Sequence, residues 1–288
     1  MLHTVTLNNR RVVSYQSYGD PNEKVLFIAH GLNGSRLEAK TINSLLRRKD
    51  IRVIGVDRAG MGHSSFQENR TFLDFTDDIV KIANKLHIDK FSILGISAGA
   101  GYALACAYKI PDRLTSVHVI SGLGPSDLVY EDMNKESRSF IALAKKFPRA
   151  VKPLFWLLIG RFSQDDKKSD KFLGNIMQSL GDVDKNIFKD EKLKQLFLNS
   201  CREAYRQGTK GVAYDAILAY TKDWGFELKE IKFDNIYFYH GKLDLSLPVL
   251  MAEKMSKITN AKLKIYPNDG HLSIIVNQIK DIEIDFFR

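Results

Sequence analysis

The chain alternates between two kinds of hydrophobic pattern. Short unbroken apolar runs, each closed by a turn, are followed by longer stretches with apolar residues at helical spacing. "KVLFIAH" (24–30), "IRVIGVD" (51–57), "KFSILGI" (90–96) and "LTSVHVIS" (114–121) are runs of the first kind. They predict strands buried on both faces. "RLEAKTINSLLRR" (36–48), "TFLDFTDDIVKIANKLH" (71–87) and residues 98–109 are stretches of the second kind. In the stretch 71–87, Leu73, Ile79, Ile82, Ala83 and Leu86 fall on one helical face and Thr71 is a candidate N-cap. "TVTLNN" and "RVVSYQSYG" precede these as an antiparallel hairpin.

From about Pro125 to Glu230 the strands stop and the pattern is helical. The alternation resumes with "FDNIYFYHG" (233–241), "LPVLMAEKMSKI" (247–258), "AKLKIYP" (261–267) and a last helix after His271. The pattern therefore predicts an α/β fold. A mostly parallel eight-stranded sheet carries helices on both faces. Residues 1–124 and 231–288 form its core, and 125–230 form an inserted helical cap. In such a sheet, ligands bind outside the carboxyl ends of the strands.

Composition narrows this picture a little. The 288 residues are 44% hydrophobic, enough for a sizeable core. No stretch of eighteen apolar residues predicts a transmembrane helix, and the N-terminus lacks a signal-peptide layout. The expectation is a cytoplasmic protein. The two cysteines, Cys106 and Cys201, suggest neither a disulfide framework nor a metal site. The excess of 43 Lys and Arg over 34 acidic residues gives +9, which a solvated basic surface explains. No nucleic-acid-binding signature accompanies it.

Gly95-Ile96-Ser97-Ala98-Gly99 is G-x-S-x-G between a predicted strand and a predicted helix. That setting suits a nucleophilic serine on a strained turn, with glycines clearing the space around it. The plain alternative is a glycine turn with Ser97 as an N-cap. A serine needs a base. His271, in "YPNDGHLSI" after the last strand, is placed to supply one. His63 is its nearest rival, while His30 and His240 read as supports of strand-end turns. The base needs a carboxylate to set its tautomer. Asp244, in "YHGKLDLSLP", follows the preceding strand, with Asp269 and Asp127 as alternatives. Acyl transfer also needs donors for an oxyanion. The amides of Ala98 and of Leu32, in "AHGLNGSR", are the candidates. "DRAGMGHSS" (57–65) lacks a full dinucleotide fingerprint and reads as a loop bordering the site.

Taken together and in order, "HGLNGSR", "DRAGMGHSS", "GISAGAGYALACAYKIPDRL", "HGKLDLSLP" and "NDGHLSI" resemble the α/β-hydrolase superfamily over nearly the whole chain. The resemblance is closest to its capped bacterial group of small serine esterases and peptidase-like hydrolases. It implies Ser97 as nucleophile, His271 as base and Asp244 as its partner, with the Leu32 and Ala98 amides as the oxyanion hole. Asn33, where relatives often have proline, and Ala98, where many esterases have Met or Gln, depart from its pattern. Members with an aspartate nucleophile, the dehalogenases and epoxide hydrolases, are disfavoured by Ser97.

The expected activity is cleavage of a small-molecule carboxylic ester through an acyl-enzyme, with no cofactor. Phe147, Phe155 and Trp156, with neighbouring Phe140, Leu157 and Leu158, are candidate pocket residues or else the cap's own core. Lys145, Lys146, Arg149, Lys152 and Arg161 could face an anionic substrate, an anionic lipid surface or an acidic carrier protein. A proline-iminopeptidase-like aminopeptidase is the alternative, and would need an acidic cluster such as Glu203, Asp215 and Glu227. A ligand-binding receptor on the same fold is the non-enzymatic alternative.

Overall fold

The central strands form because they carry enough branched and aromatic side chains to be covered on both sides. All six residues of Phe91–Ile96 are buried, as are all six of Ile51–Val56 and of Ile236–Gly241. A computed structural model describes residues 1–7, 10–125, 127–128, 130–133, 135–159, 173–177, 180–221 and 223–287. Its strands are β1 (Leu2–Thr6), β2 (Val12–Tyr18), β3 (Lys24–Ala29), β4 (Ile51–Val56), β5 (Phe91–Ile96), β6 (Leu114–Ile120), β7 (Ile236–Gly241) and β8 (Lys262–Tyr266). They make one sheet in the order β1-β2-β4-β3-β5-β6-β7-β8. β1 and β2 are antiparallel, and β2 is antiparallel to β4; the remaining pairings are parallel.

Alternate residues of one strand serve two cores. Ile93 packs with α2 (Phe72–Lys85), α3 (Gly99–Lys109) and the methionines Met251 and Met255 of a later helix. Its neighbours Leu94 and Ile96 pack on the opposite face with α1 (Glu38–Leu45) and the isoleucines Ile274, Ile279 and Ile282. The start of α2 is tied by Asp74, whose carboxylate accepts from the Thr71 amide and hydroxyl. Both cysteines are buried and free.

Between β6 and β7 the described residues form no strand. They include α4 (Lys135–Lys146), α5 (Pro148–Ile159), α6 (Asp182–Ile187), α7 (Glu191–Ala204) and α8 (Lys210–Thr221). Two more helices, α9 (Val249–Ile258) and α10 (Ser273–Ile282), flank β8. Among the described residues no helix is long and apolar enough to cross a membrane.

The inserted helices are fastened to the sheet by buried charge. Asp215 of α8, wholly buried, accepts from Arg58 at 2.8 Å, from Arg70 at 3.1 Å and from the Tyr102 hydroxyl. Burial alone would raise its pKa, but the two guanidiniums outweigh that and hold it below the usual carboxylate value. Glu203 of α7 accepts from Arg36 at 2.6 Å, and Ser200 meets Ser35 at 3.1 Å.

Candidate active site

Ser97 stands on the turn between β5 and α3 with φ +53, a left-handed conformation that side chains rarely adopt. The surroundings force it. A Cβ at Gly95 would lie 2.6 Å from the Gly99 carbonyl oxygen, and one at Gly99 would lie 2.0 Å from that of Ala29. Only glycine lets β5 turn this sharply into a helix pressed against β3. The Ser97 amide donates to Ile120 and its carbonyl accepts from Leu123, which pins the turn to the end of β6. The hydroxyl is left projecting above the sheet.

The His271 Nε2 lies 3.1 Å from Ser97 Oγ. Its Nδ1 lies 2.7 Å from Asp244 Oδ2. These three residues come from loops at the carboxyl ends of β5, β7 and β8, which are separated in sequence but share one edge of the sheet, with β6 between β5 and β7. Asp244 Oδ1 accepts the amides of Ser246 at 2.8 Å and Leu247 at 2.9 Å, so the other oxygen is aimed at the imidazole. Burial would raise the Asp244 pKa. The facing His271 and His240 overcome it and hold the carboxylate well below its usual range. Burial would lower the His271 pKa, yet the charges of Asp244 and Asp184 raise it above the ordinary value.

The rivals His63, Asp269 and Asp127 are placed elsewhere. His63 pairs with Glu203 at 3.3 Å. Asp269 faces α10, accepting from Asn277 at 2.7 Å and Gln278 at 2.8 Å, and Asp127 is exposed. His30 is buried with Nδ1 on the Gly31 carbonyl. His240 is also buried, 3.3 Å from Asp244.

The loop after β3 is shaped from below. Arg58 donates to the carbonyls of His30 and Gly31 as well as to Asp215. A trans peptide sets its N–H opposite its C=O. The Gly31 carbonyl is held on Arg58, so the Leu32 N–H points the other way. Among the described residues, neither the Leu32 nor the Ala98 amide has an acceptor. Asn33 accepts from the Tyr205 hydroxyl at 2.6 Å, a contact with the residue just after α7 that proline could not make.

Ser97 and His271 open onto a cavity of about 520 Å³. Its wall is mostly apolar and includes Phe140, Leu154, Leu180, Phe188 and Phe197 from the inserted segment. Phe147 is not part of it. That side chain is 53% exposed, because it follows the last turn of α4 on the outer side, beside Lys146. Leu157 is also exposed. The side chains of Phe155, Trp156, Leu158 and Lys152, and Arg161 altogether, lie outside the described residues. Lys145, Lys146 and Arg149 are exposed.

Among the described residues, Glu38 is the one carboxylate on the cavity wall. It accepts from the Gly31 amide at 3.1 Å. Burial pushes its pKa up to about 7, against the lowering influence of that amide and of Arg58. The three acids available for an amine-binding cluster do not line the cavity. Asp215 and Glu203 are engaged with arginines, and Glu227 pairs with Lys229 at the surface. Among the described residues no group of acidic, His or Cys side chains has the arrangement of a metal site.

Comparison with known proteins bears on the whole assembly. A family described as "alpha/beta hydrolase fold" matches residues 24–278. A protein named as a candidate carbamate hydrolase, RutD, from Caulobacter sp. (strain K31) is 30% identical over 118 residues, 39% of this chain and 43% of that protein. A protein named "Probable proline iminopeptidase" from Leptolyngbya boryana is 31% identical over 105 residues, 35% of this chain and 32% of that one. The matched region is thus less than half of either relative. The crystal structure of the enol-lactonase from Burkholderia xenovorans LB400 superposes with a TM-score of 0.69 at 18% identity, covering 99% of both chains. At that identity the likeness is one of fold.

Proposed function

The chain belongs to the alpha/beta hydrolase fold family, and on that footing we propose that it is a serine hydrolase of carboxylic esters. Ser97 Oγ attacks the substrate carbonyl as His271 Nε2 takes its proton. Asp244 holds the imidazole with Nδ1 protonated, and the Leu32 and Ala98 amides bind the oxyanion. His271 then returns the proton to the departing alkoxide. Water repeats the sequence on the acyl-enzyme and frees the acid. The helices between β6 and β7 act as the cap, with residues 125–230 as its extent. The observation that carries this reading is the hydrogen-bonded chain Ser97–His271–Asp244 opening on the apolar cavity.

The cavity wall suits an aliphatic acyl group, and its volume is in the usual range for a small-molecule site. Burying each methylene is worth about 0.8 kcal/mol. On p-nitrophenyl esters kcat/KM is therefore expected to rise by roughly 50-fold from acetate to hexanoate, most of each increment being realised. Anilides, including proline anilide, should be cleaved far more slowly. Equal rates across acyl lengths, or faster turnover of proline anilide than of esters, would remove this assignment.

Glu38 adds a pH dependence. Below about 7 it is protonated; above, it places a negative charge beside the loop that bears the Leu32 amide. Such a charge opposes the oxyanion by about 1–2 kcal/mol at an effective dielectric near 20, roughly 10-fold in rate. Loss of the His271 proton raises the rate on a neutral ester, and ionisation of Glu38 lowers it. Glu38→Gln should keep the His271 limb and raise the alkaline plateau by roughly 10-fold. An alkaline plateau unchanged in the glutamine variant would remove Glu38 from this role.

A further inference from the structure

The proposed base is held in place from the inserted segment, by a residue with no part in proton transfer. Asp184 is the one residue that α6 buries, and it is completely buried. Its Oδ2 accepts the amide of His271 itself at 2.9 Å, and its Oδ1 accepts those of Leu272 at 2.9 Å and Ser273 at 2.8 Å. The Gly270 amide beside them is taken by the Ser273 hydroxyl at 2.8 Å. The approach is close enough to dictate sequence: a Cβ at Gly270 would lie 2.5 Å from Asp184 Oδ2. Among the described residues no lysine or arginine pairs with this carboxylate. The compensation for burying it is three backbone N–H groups and the positive end of the α10 dipole.

We propose that Asp184 is the positioning residue for His271, fixing the histidine's backbone from the same segment that forms the wall of the substrate cavity. The inference rests on the assignment of His271 as base. The second half follows from the neighbours of α6. Leu180 before it, and Ile187 and Phe188 at its end, all line the cavity. The element that a substrate's apolar part touches is therefore the element that sets the histidine loop. The loop's other side is fixed by Asp244, whose contact is with the imidazole and not with the backbone. The two carboxylates thus have separate tasks: one directs the ring, the other the chain that bears it.

The charged and titratable groups around the ring follow from this geometry. Asp244 faces it from the loop after β7, with His240 behind that carboxylate, and Asp184 faces it from α6. Loss of the Asp184 charge removes one of the influences that raise the His271 pKa. The histidine should then lose its proton at lower pH.

Asp184→Asn retains the shape but must turn an NH₂ group toward either the His271 amide or the Leu272 and Ser273 pair. It should lower kcat at least 10-fold with little change in KM, and move the acid limb of kcat to lower pH. Asp184→Glu keeps the charge and misplaces it, so kcat should fall with the limb unmoved. Asp182→Asn, exposed on the same helix, should match the wild-type enzyme. NMR titration of the His271 ring reads the shift without reference to turnover. A kcat within twofold of wild type and an unmoved ring titration in Asp184→Asn would overturn the proposal. Should that variant not fold, wild-type kcat in Asp184→Glu would do so. Ser97→Ala, run in parallel, separates the outcomes. If turnover survives it, the hydrolase assignment fails, while the ring titration still tests Asp184.

Discussion

Ser97→Ala should lower kcat on an activated ester by about 10⁴–10⁶-fold. It should leave thermal stability within about 1 kcal/mol, because the hydroxyl makes one part-buried hydrogen bond, to His271 at 3.1 Å. Alanine meets the same backbone cost at φ +53 as serine does. The turn is imposed by its neighbours, with the Ile120 and Leu123 backbone bonds unaffected. On the proposed mechanism, what disappears is the atom that forms the acyl bond, and the residual rate would come from the cavity and the Leu32 and Ala98 amides.

A sharper form of this expectation uses non-additivity. Serine and base act as one unit, so Ser97→Ala/His271→Ala should be no slower than Ser97→Ala alone. Two independent contributors would instead multiply their losses. Fluorophosphonate labelling, followed by mass spectrometry of the modified peptide, checks the nucleophile directly. Labelling at another residue, or turnover by Ser97→Ala within 10-fold of wild type, would exclude Ser97 from the role.

Much of the frame was legible because buried parallel strands announce themselves as unbroken apolar runs. β3, β4, β5 and β6 all did so, and the turn at Gly95–Gly99 followed from the need for room. The sheet order was not legible. Nothing in the period of β7 says that it lies beside β6 across the inserted helices, yet that adjacency brings Asp244 to the site. Ser97, His271 and Asp244 were singled out through their positions just after strands, which local pattern does report, and the structure brings the three side chains together.

The residues that were missed share a different trait. Asp184 looks like any acid on a helix until tertiary contact supplies its partner, 87 positions away at His271, and Asp215, considered only for an amine-binding cluster, finds its partner 157 positions away at Arg58. Glu38 falls in a polar position of α1 and acquires its meaning from Gly31. Phe147 failed in the opposite sense: an aromatic in an apolar-looking stretch turned out to be exposed. Hydrophobic periodicity tells which face is apolar only where the helix spacing is clean, and the segment around Phe147 is interrupted by lysines and proline.

Asp244→Asn is the second substitution expected to be severe, by about 10³–10⁴-fold in kcat. The reason lies in how the carboxylate is held. Oδ1 accepts two turn amides, Ser246 and Leu247, while Oδ2 faces His271 Nδ1. An asparagine in this place keeps its oxygen on the two amides, since its NH₂ cannot accept from them. The NH₂ is then turned toward His271 Nδ1. A donor there selects the tautomer with the lone pair on Nδ1 and the proton on Nε2. That nitrogen faces Ser97 and can no longer take its proton. The variant also removes the largest favourable charge beside the imidazole, so the ring should titrate at lower pH than in the wild type. The sign is opposite for the acid itself. The Asp244 pKa is depressed on folding, so its contribution to stability is present above the unfolded carboxylate value of 3.8 and is lost as pH falls through the folded one. Asp244→Asn should therefore flatten the loss of stability on acidification while it abolishes most turnover. Steady-state kinetics, fluorophosphonate labelling rate and Tm against pH, measured together, check both. Asn-variant turnover within 10-fold of wild type would mean that another group sets the tautomer of His271.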